Sequence, residues 1–386
     1  MSFLSRFTYL LSGCCLGFFL NFAIFYRRII LSRRYRPISN GIESLVGNTA
    51  VIQLQSLSKI SGCKILAKVE YLNPGGCSKD RAALAIIKDA ERRGLLTPYK
   101  STIYEGTSGS TGISLSIYAN ARKYKTGIFL PSDICSDKVS RIEVLGAKVN
   151  RIEPLPFADK NMYVNAAKRA AMNDDSGFFA DQFENECNWR THYETTAAEI
   201  YEQTDDGKNL DFIVLGAGTG GTIAGISKFF KEKASKVKIV LADPFGSGVY
   251  NKVKHGVMFS ATEKEGTRKR NQVDTIIEGI GMNRITKNLD EALIDDAISV
   301  SDQEAVDMSR FILQEEGFFI GSSSALCMAA AFKLAKENRG KTIMTFFCDG
   351  GSRHLSKFWN NEYLASLGIV PNPNYWLHYC KDYKID

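Results

Sequence analysis

Three times along this 386-residue chain a short apolar run ends in a turn of glycines and hydroxyl residues, and a helix-patterned stretch follows at once. The turns run from Asn73 through Pro74, Gly75, Gly76, Cys77, Ser78, Lys79 and Asp80 to Arg81, from Glu105 to Gly112, and from Gly216 to Thr222. Strand, glycine-rich turn and helix form the unit of a parallel sheet, because one strand reaches its parallel neighbour only through a crossover. The rest of the chain keeps this alternation. Strands are expected at Lys64–Glu70, Ser101–Tyr104, Thr126–Leu130, Asp211–Leu215, Val237–Ala242 and Thr342–Phe347. Helices are expected at Asp80–Gly94, Thr111–Tyr124 and Thr222–Lys233. The expected fold class is α/β, with parallel buried sheets and helices on both faces. Thr262–Gln272 is charged and polar and reads as a mobile surface loop.

Each turn has its own chemistry. Lys79 stands at a helix entrance, where the helix field disfavours a positive charge, the setting in which a lysine serves as a Schiff-base nucleophile. Taken alone, the segment favours a surface lysine at a capped helix start. The second turn, with Thr107, Ser108, Gly109, Ser110 and Thr111, offers hydroxyls and free N–H groups to an anion, a carboxylate for preference, or is simply a polar turn with an N-cap. The third, with Gly218, Thr219, Gly220, Gly221 and Thr222, is a phosphate cradle by the same physics. It also satisfies G-x-G-x-x-G at Gly216, Gly218 and Gly221, and Asp243 ends the next strand, so a dinucleotide reading stays open. There is no G-K-[ST], which argues against a P-loop nucleotide hydrolase.

Composition narrows the classes further. Apolar residues make up 44% and charged residues 24%, ordinary for a globular chain. The net charge is +7, but Arg6, Arg27, Arg28, Arg33, Arg34 and Arg36 supply six of these charges with no acid among them. The remainder is nearly neutral and carries no basic, aromatic stripe for nucleic acid. The nine cysteines are scattered without C-x-x-C, an odd count that suits reduced thiols better than a disulfide framework. The four histidines have no metal-ligand spacing, so no metal is expected. Phe7–Tyr26 is uncharged and has about the 20 residues that span a bilayer as a helix. The arginines that follow make a poor cleavage site and a good stop, so residues 1–36 read as an uncleaved membrane anchor with a basic flank. The positive-inside rule leaves the body in the cytosol. A short, moderately apolar anchor of this kind resembles the signal anchors of mitochondrial outer-membrane proteins, with the endoplasmic reticulum as the alternative.

In their order along the chain, these segments resemble the cysteine synthase and cystathionine β-synthase family of fold-type-II pyridoxal-phosphate (PLP) enzymes, from about Gly41 to Lys357. The family's P-G-G/S-x-x-K-D-R segment appears as Pro74–Arg81, its T-S-G-N-T-G loop as Thr107–Gly112, and its G-T-G-G-T cup as Gly218–Thr222. Gln182–Asn185 with Glu194–Thr196 resembles the segment whose Gln faces the substrate. Glu278–Gly281 resembles the E/Q-G-I-G loop over the active-site mouth, and Glu315–Gly317 followed by Gly321–Ser324 resembles E-E-G…G-x-S-S-G.

The resemblance implies a two-lobed body over 37–386, similar to tryptophan synthase β. A smaller lobe at about 80–185 is inserted in the larger, cofactor-binding lobe, and two copies form a homodimer. It implies that Lys79 carries PLP and is the catalytic residue. Ser110, Gly218, Thr219, Gly220, Gly221, Thr222 and Ser323 would hold the cofactor, with Ser323 against the pyridine nitrogen. Thr107, Ser108, Gly109, Thr111, Gln182 and Gly279 would meet the amino-acid substrate. The implied reaction is β-replacement on an O-activated serine by sulfide or another thiol, giving cysteine. Rival readings are a cysteine desulfhydrase or a serine/threonine dehydratase on the same scaffold, and a non-catalytic, membrane-tethered PLP-binding protein. Three positions depart from the pattern. Ser110 stands where the family has Asn, whose amide contacts the cofactor's ring oxygen and the bound amino acid. Ala325 replaces a Gly, and Cys348–Gly351 replaces P-[SD]-[SG]-G.

Overall fold

The computed structural model describes residues 40–259, 275–282 and 284–379. The expected anchor over residues 1–36 and the expected loop over Thr262–Gln272 lie outside the described residues. Among the described residues no helix is long and apolar enough to cross a membrane. A short 3-10 turn at Ile42–Leu45 precedes the body, which is one unit from Val46 onward.

Among the described residues, ten strands form two sheets. They are β1 (Val51–Gln53), β2 (Lys64–Val69), β3 (Thr102–Gly106), β4 (Lys125–Pro131), β5 (Lys148–Ile152), β6 (Gly177–Phe179), β7 (Phe212–Gly216), β8 (Lys238–Pro244), β9 (Asp296–Val300) and β10 (Thr342–Phe347). The larger sheet has the order β1-β2-β10-β7-β8-β9 and the smaller β5-β4-β3-β6. All pairings are parallel except β1 with β2, which is antiparallel. The expected all-parallel arrangement therefore fails only at this edge, where three residues return beside β2 without a crossover.

The strands that read as continuous apolar runs are the ones buried on both faces: Ile65, Leu66, Ala67 and Val69 in β2, and Ile343, Met344, Phe346 and Phe347 in β10 are all interior. The helix Ser322–Glu337 is apolar nearly all round, from Ala325 to Ala331 and on to Leu334 and Ala335, and it is buried nearly all round as well. It packs behind β7 and β10 and fixes the height of the strand ends that carry the site. Its neighbour Asp302–Glu316 starts on a capping box, in which Ser301 accepts from the Glu304 N–H and the Glu304 carboxylate accepts from the Ser301 N–H.

Candidate active site

The three glycine-rich turns converge. Lys79, Thr107, Ser108, Ser110, Thr111, Gln182, Gly218, Thr219, Gly220, Thr222, Gly279 and Ser323 line one cavity. It opens at the carboxyl ends of β7 and β10, marked by Gly216 and Phe346, where the strand order of the large sheet reverses. Two expected site residues stand behind its wall. Gly109 has φ +119 and backs onto Lys138, whose side chain would lie 2.8 Å from an added Cβ. Gly221 is pressed on Asn188, whose Oδ1 would lie 2.1 Å from one.

In the first turn, Lys79 opens the helix Lys79–Arg92, and of Lys79, Asp80 and Arg81 only Lys79 lines the cavity. The other two hold the turn. Asp80 accepts from the Gly75 N–H and from Ser114 Oγ, both at 2.5 Å, tying the turn to the helix Ser110–Ala121. Arg81 is almost wholly buried and forks to two carboxylates. Its Nε and Nη2 donate to Glu70 at 2.8 Å, and its Nη1 and Nη2 donate to Glu199 at 2.6 and 2.8 Å. Lys68 Nζ completes the cluster, 2.7 Å from Glu199.

The third turn opens the 13-residue helix Gly221–Lys233, whose first N–H groups have no acceptor inside the helix. The cup is braced from behind. Asn188 Nδ2 donates to Thr219 Oγ1 at 2.9 Å, and Thr286 Oγ1 donates to the Thr219 carbonyl at 2.8 Å. Thr222 Oγ1 lies 3.2 Å from His192 Nε2; burial lowers this imidazole to about 3 and so keeps it neutral. Asp243, the acid that kept a dinucleotide reading open, is buried in its own turn. It accepts from the Tyr250 N–H at 2.8 Å, and burial pushes it up to about 7. It does not line the cavity, so the fingerprint lacks its ribose ligand.

In the substrate-type loop, Gln182 uses its whole amide. Nε2 donates to Glu105 Oε1 and to the Gly106 carbonyl, both at 3.1 Å, and Oε1 accepts from Thr111 Oγ1. Burial, with Asp181 adding to it, pushes Glu105 up to about 8. Gln182 thus lines the cavity as the brace of Thr111. Of the three consecutive serines, Ser324 is bonded to the Asp349 backbone and Ser322 is buried without a partner, which leaves Ser323 to face the cavity.

Sequence reasoning placed Glu278 in the loop over the mouth but missed its lining partner, Lys138. Lys138 Nζ lies 2.5 Å from Glu278 Oε2, and Glu278 Oε1 accepts from the Cys135 N–H at 3.0 Å. Burial works against both charges, but each holds the other ionised. Lys138 carries no local motif, so only its position in space identifies it. Asp349 also lines the cavity. Burial raises its pKa, yet His354 at 3.0 Å, with Lys138 and Arg353, holds it well below the usual carboxylate range.

Comparison with known proteins agrees with this geometry. The profile described as "Pyridoxal-phosphate dependent enzyme" matches residues 42–349. The chain is 50% identical over 345 residues to "Cysteine synthase 2" of Schizosaccharomyces pombe, covering 86% of this chain and 87% of that one. It is 48% identical over 345 residues, with the same coverage, to a Saccharomyces cerevisiae protein provisionally named a mitochondrial cysteine synthase. Among solved structures, O-ureido-L-serine synthase superposes with a TM-score of 0.74 at 30% identity, covering 89% of this chain and all of that one. A hydrogen sulfide-producing enzyme from Fusobacterium nucleatum gives a TM-score of 0.72 at 29% identity, covering 82% of this chain and 100% of that one. The chain belongs to the family of pyridoxal-phosphate dependent enzymes.

Proposed function

We propose that this chain is a cysteine synthase that replaces the β-substituent of an O-activated serine with sulfide. The observation that carries the reading is the convergence of Lys79, the Gly218–Thr222 cup and Ser323 on one cavity, in a chain half identical to named cysteine synthases. The donor set suits the cofactor. An added Cβ would lie 2.3 Å from the Gly279 carbonyl at Gly218, and 2.5 Å from Leu289 at Gly220. The cup is therefore lined by backbone and by the hydroxyls of Thr219 and Thr222, as a phosphate dianion requires. Ser323 would offer the ring nitrogen a neutral hydroxyl, and Lys79 would supply the amine that holds the aldehyde, since both line the cavity.

Pyridoxal phosphate, when bound, supplies the electron sink that lets an amino acid lose its α-proton and its β-substituent. Lys79 Nζ takes that proton and returns it to the product. The Thr107–Thr111 turn receives the substrate carboxylate at a helix N-terminus, with Thr111 held in place by Gln182. Gly279 covers the mouth, and the Lys138–Glu278 ion pair holds its loop down against water. With O-acetylserine, acetate leaves and hydrosulfide adds. The test is a substrate panel on the purified chain with PLP. Cysteine formed from O-acetylserine and sulfide is expected, and its absence would overturn the reading. A desulfhydrase is the second reading, favoured by the likeness to the hydrogen sulfide-producing enzyme. Under it, cysteine alone would release sulfide faster than O-acetylserine consumes it.

Ser110 sets the efficiency. Its Oγ lies 3.5 Å from Arg353 Nη1, and it offers one short hydroxyl where Asn would offer an N–H and a C=O. A lost hydrogen bond to a charged partner costs about 1.5–3 kcal/mol, roughly tenfold to hundredfold in rate. Ser110→Asn should raise kcat/KM for O-acetylserine by that factor in stopped-flow kinetics. A flat or reduced value would mean that Ser110 makes room for a different amino acid.

The body is assigned to residues 37–386, with a smaller lobe at about 80–185, and to a homodimer on the family resemblance. The anchor over residues 1–36 is assigned to the mitochondrial outer membrane with the body facing the cytosol. Its arginines and the mitochondrial name of the yeast relative support this. Deleting residues 1–36 should leave a soluble body that still binds PLP. Protease added to intact mitochondria should digest the full chain, and complete protection would reverse the orientation.

A further inference from the structure

A run of four buried side chains joins the phosphate cup to the substrate turn. Thr219 and Thr111 stand at its ends and line the cavity, Gln182 lines it between them, and Asn188 is buried behind. Asn188 Nδ2 donates to Thr219 Oγ1 at 2.9 Å and to the Gln182 carbonyl at 2.7 Å. Gln182 Oε1 in turn accepts from Thr111 Oγ1. Asn288 holds the same Gln182 carbonyl at 3.1 Å, but its other bonds are to the Phe183 carbonyl and the Trp189 N–H. Asn188 bonds both to the cup and to the residue that holds Thr111.

The carbonyls fix the polarity of the run. A backbone carbonyl only accepts, so the atom of Asn188 that meets the Gln182 carbonyl is its amide nitrogen, and Thr219 Oγ1 takes the second hydrogen. The Thr219 hydroxyl therefore accepts from behind and keeps its own proton for an anion in the cup. Gln182 is fixed in the same way. Its Nε2 meets the Gly106 carbonyl at 3.1 Å, so Oε1 faces Thr111 and receives its proton. Turning either amide over would set two acceptors against each other. Asn188 has no room to slide, because its Oδ1 is packed on Gly221, the first residue of the helix that the cup opens.

We propose that Asn188 is a positioning residue that couples the cup to the substrate turn, so that a phosphate in the cup tightens the grip on the amino-acid carboxylate. The inference rests on the reading that both groups bind in this cavity. A phosphate dianion draws the Thr219 proton, which makes Oγ1 the stronger acceptor for Asn188. A firmer bond to Asn188 steadies the Gln182 backbone. Gln182 then holds Thr111 at the entrance of the helix Ser110–Ala121, whose first N–H groups receive the carboxylate. Coupling of this kind is reciprocal, so the amino acid tightens the hold on the phosphate by the same factor.

The test reads binding, not turnover. The full chain, saturated with PLP, is titrated with L-serine and followed by the absorbance of the cofactor. PLP affinity is measured separately on the chain stripped of PLP. Asn188→Leu keeps nearly the same bulk and removes both donated hydrogen bonds. It should weaken PLP roughly tenfold and L-serine roughly fivefold. Thr219→Val, which removes only the cup hydroxyl, should weaken L-serine by a similar factor. The double variant should bind L-serine no more than about twofold worse than either single one, because both changes cut one path. Melting curves check the fold, and Asn188→Ser, with less bulk against Gly221, repeats the series where Leu is not tolerated. The proposal is overturned if either single variant leaves L-serine affinity unchanged, or if the two losses multiply in the double variant as independent losses do. A purely local brace of the cup would weaken PLP alone. A parent whose cofactor absorbance responds to no amino acid would overturn the cysteine synthase reading, and the coupling with it.

Discussion

Lys79→Ala should leave a folded chain whose turnover of any β-substituted amino acid is lower by roughly 10³-fold or more. The size follows from two jobs held by one amine: it carries the cofactor, and it moves the α-proton. A general base alone is worth about 10²–10⁴-fold. The fold should survive, because the turn around Lys79 rests on its neighbours. Asp80 holds the Gly75 N–H, and Arg81 holds Glu70 and Glu199. Circular dichroism and a melting curve check the fold, and a coupled assay for cysteine checks turnover. Borohydride reduction of the parent with PLP, followed by peptide mapping, should label Lys79. A variant within tenfold of the parent, or a label on another lysine, would remove Lys79 from the chemistry.

Arg81→Met should lower stability by roughly 3–5 kcal/mol, the usual cost of leaving buried charge without its partner. Glu70 is fully buried, and without Arg81 it keeps hydrogen bonds from Thr49 and Asn73 but no ion-pair partner of its own. Glu199 would keep Lys68. Arg81→Lys should recover only part of the loss, because one ammonium cannot fork to two carboxylates. Acid sensitivity follows from the same cluster. Burial opposes the Glu199 charge, but Arg81 and Lys68 outweigh it and hold the group down at about 2 against an ordinary 4.5. For a depressed carboxyl, the stabilisation is complete above the ordinary value and fades as pH falls through the folded one. In Arg81→Met, where only Lys68 still faces Glu199, this acid-dependent loss should be smaller and should be complete at a higher pH. Urea unfolding at neutral and acid pH measures both effects, and a neutral-pH loss under about 1 kcal/mol would contradict the argument.

The sequence makes the strand–turn–helix units legible because glycines and hydroxyls bound apolar runs of the right length. Thr342–Phe347 is found to the residue, and the starts of the helices at Lys79, Ser110 and Gly221 are found within one position, though two of the three end earlier than expected. Short or mixed strands escape the same reading. β6 has three residues, and β9, with Asp296 and Ser299 among its five, has no apolar run. Local pattern does not distinguish Ser322, Ser323 and Ser324, since one helical turn points them three ways, and only the family resemblance singles out Ser323. Pairs that meet only in space are the other gap. Lys138 meets Glu278, and Arg81 meets Glu199, with no local pattern to announce either. The glycine fingerprint at Gly216–Gly221 is ambiguous in sequence, and the burial of Asp243 in its own turn removes the ribose ligand that a dinucleotide site needs.

The position of β10 bears on how the chain is made. It lies between β2 and β7, pairing Thr342 with Lys64 and Ile343 with Phe212. The smaller sheet uses only residues between Thr102 and Phe179, so its strands can pair as soon as that stretch has been synthesised. The larger sheet cannot close until Phe347 has emerged. Until then β2 and β7 present unpaired apolar edges, and the late closure costs loop entropy before any contact repays it. A nascent chain of this kind depends on protection from aggregation for most of its synthesis. A stop codon just before Thr342 would therefore yield aggregate, even though Lys79, the glycine cup and Ser323 had all been made.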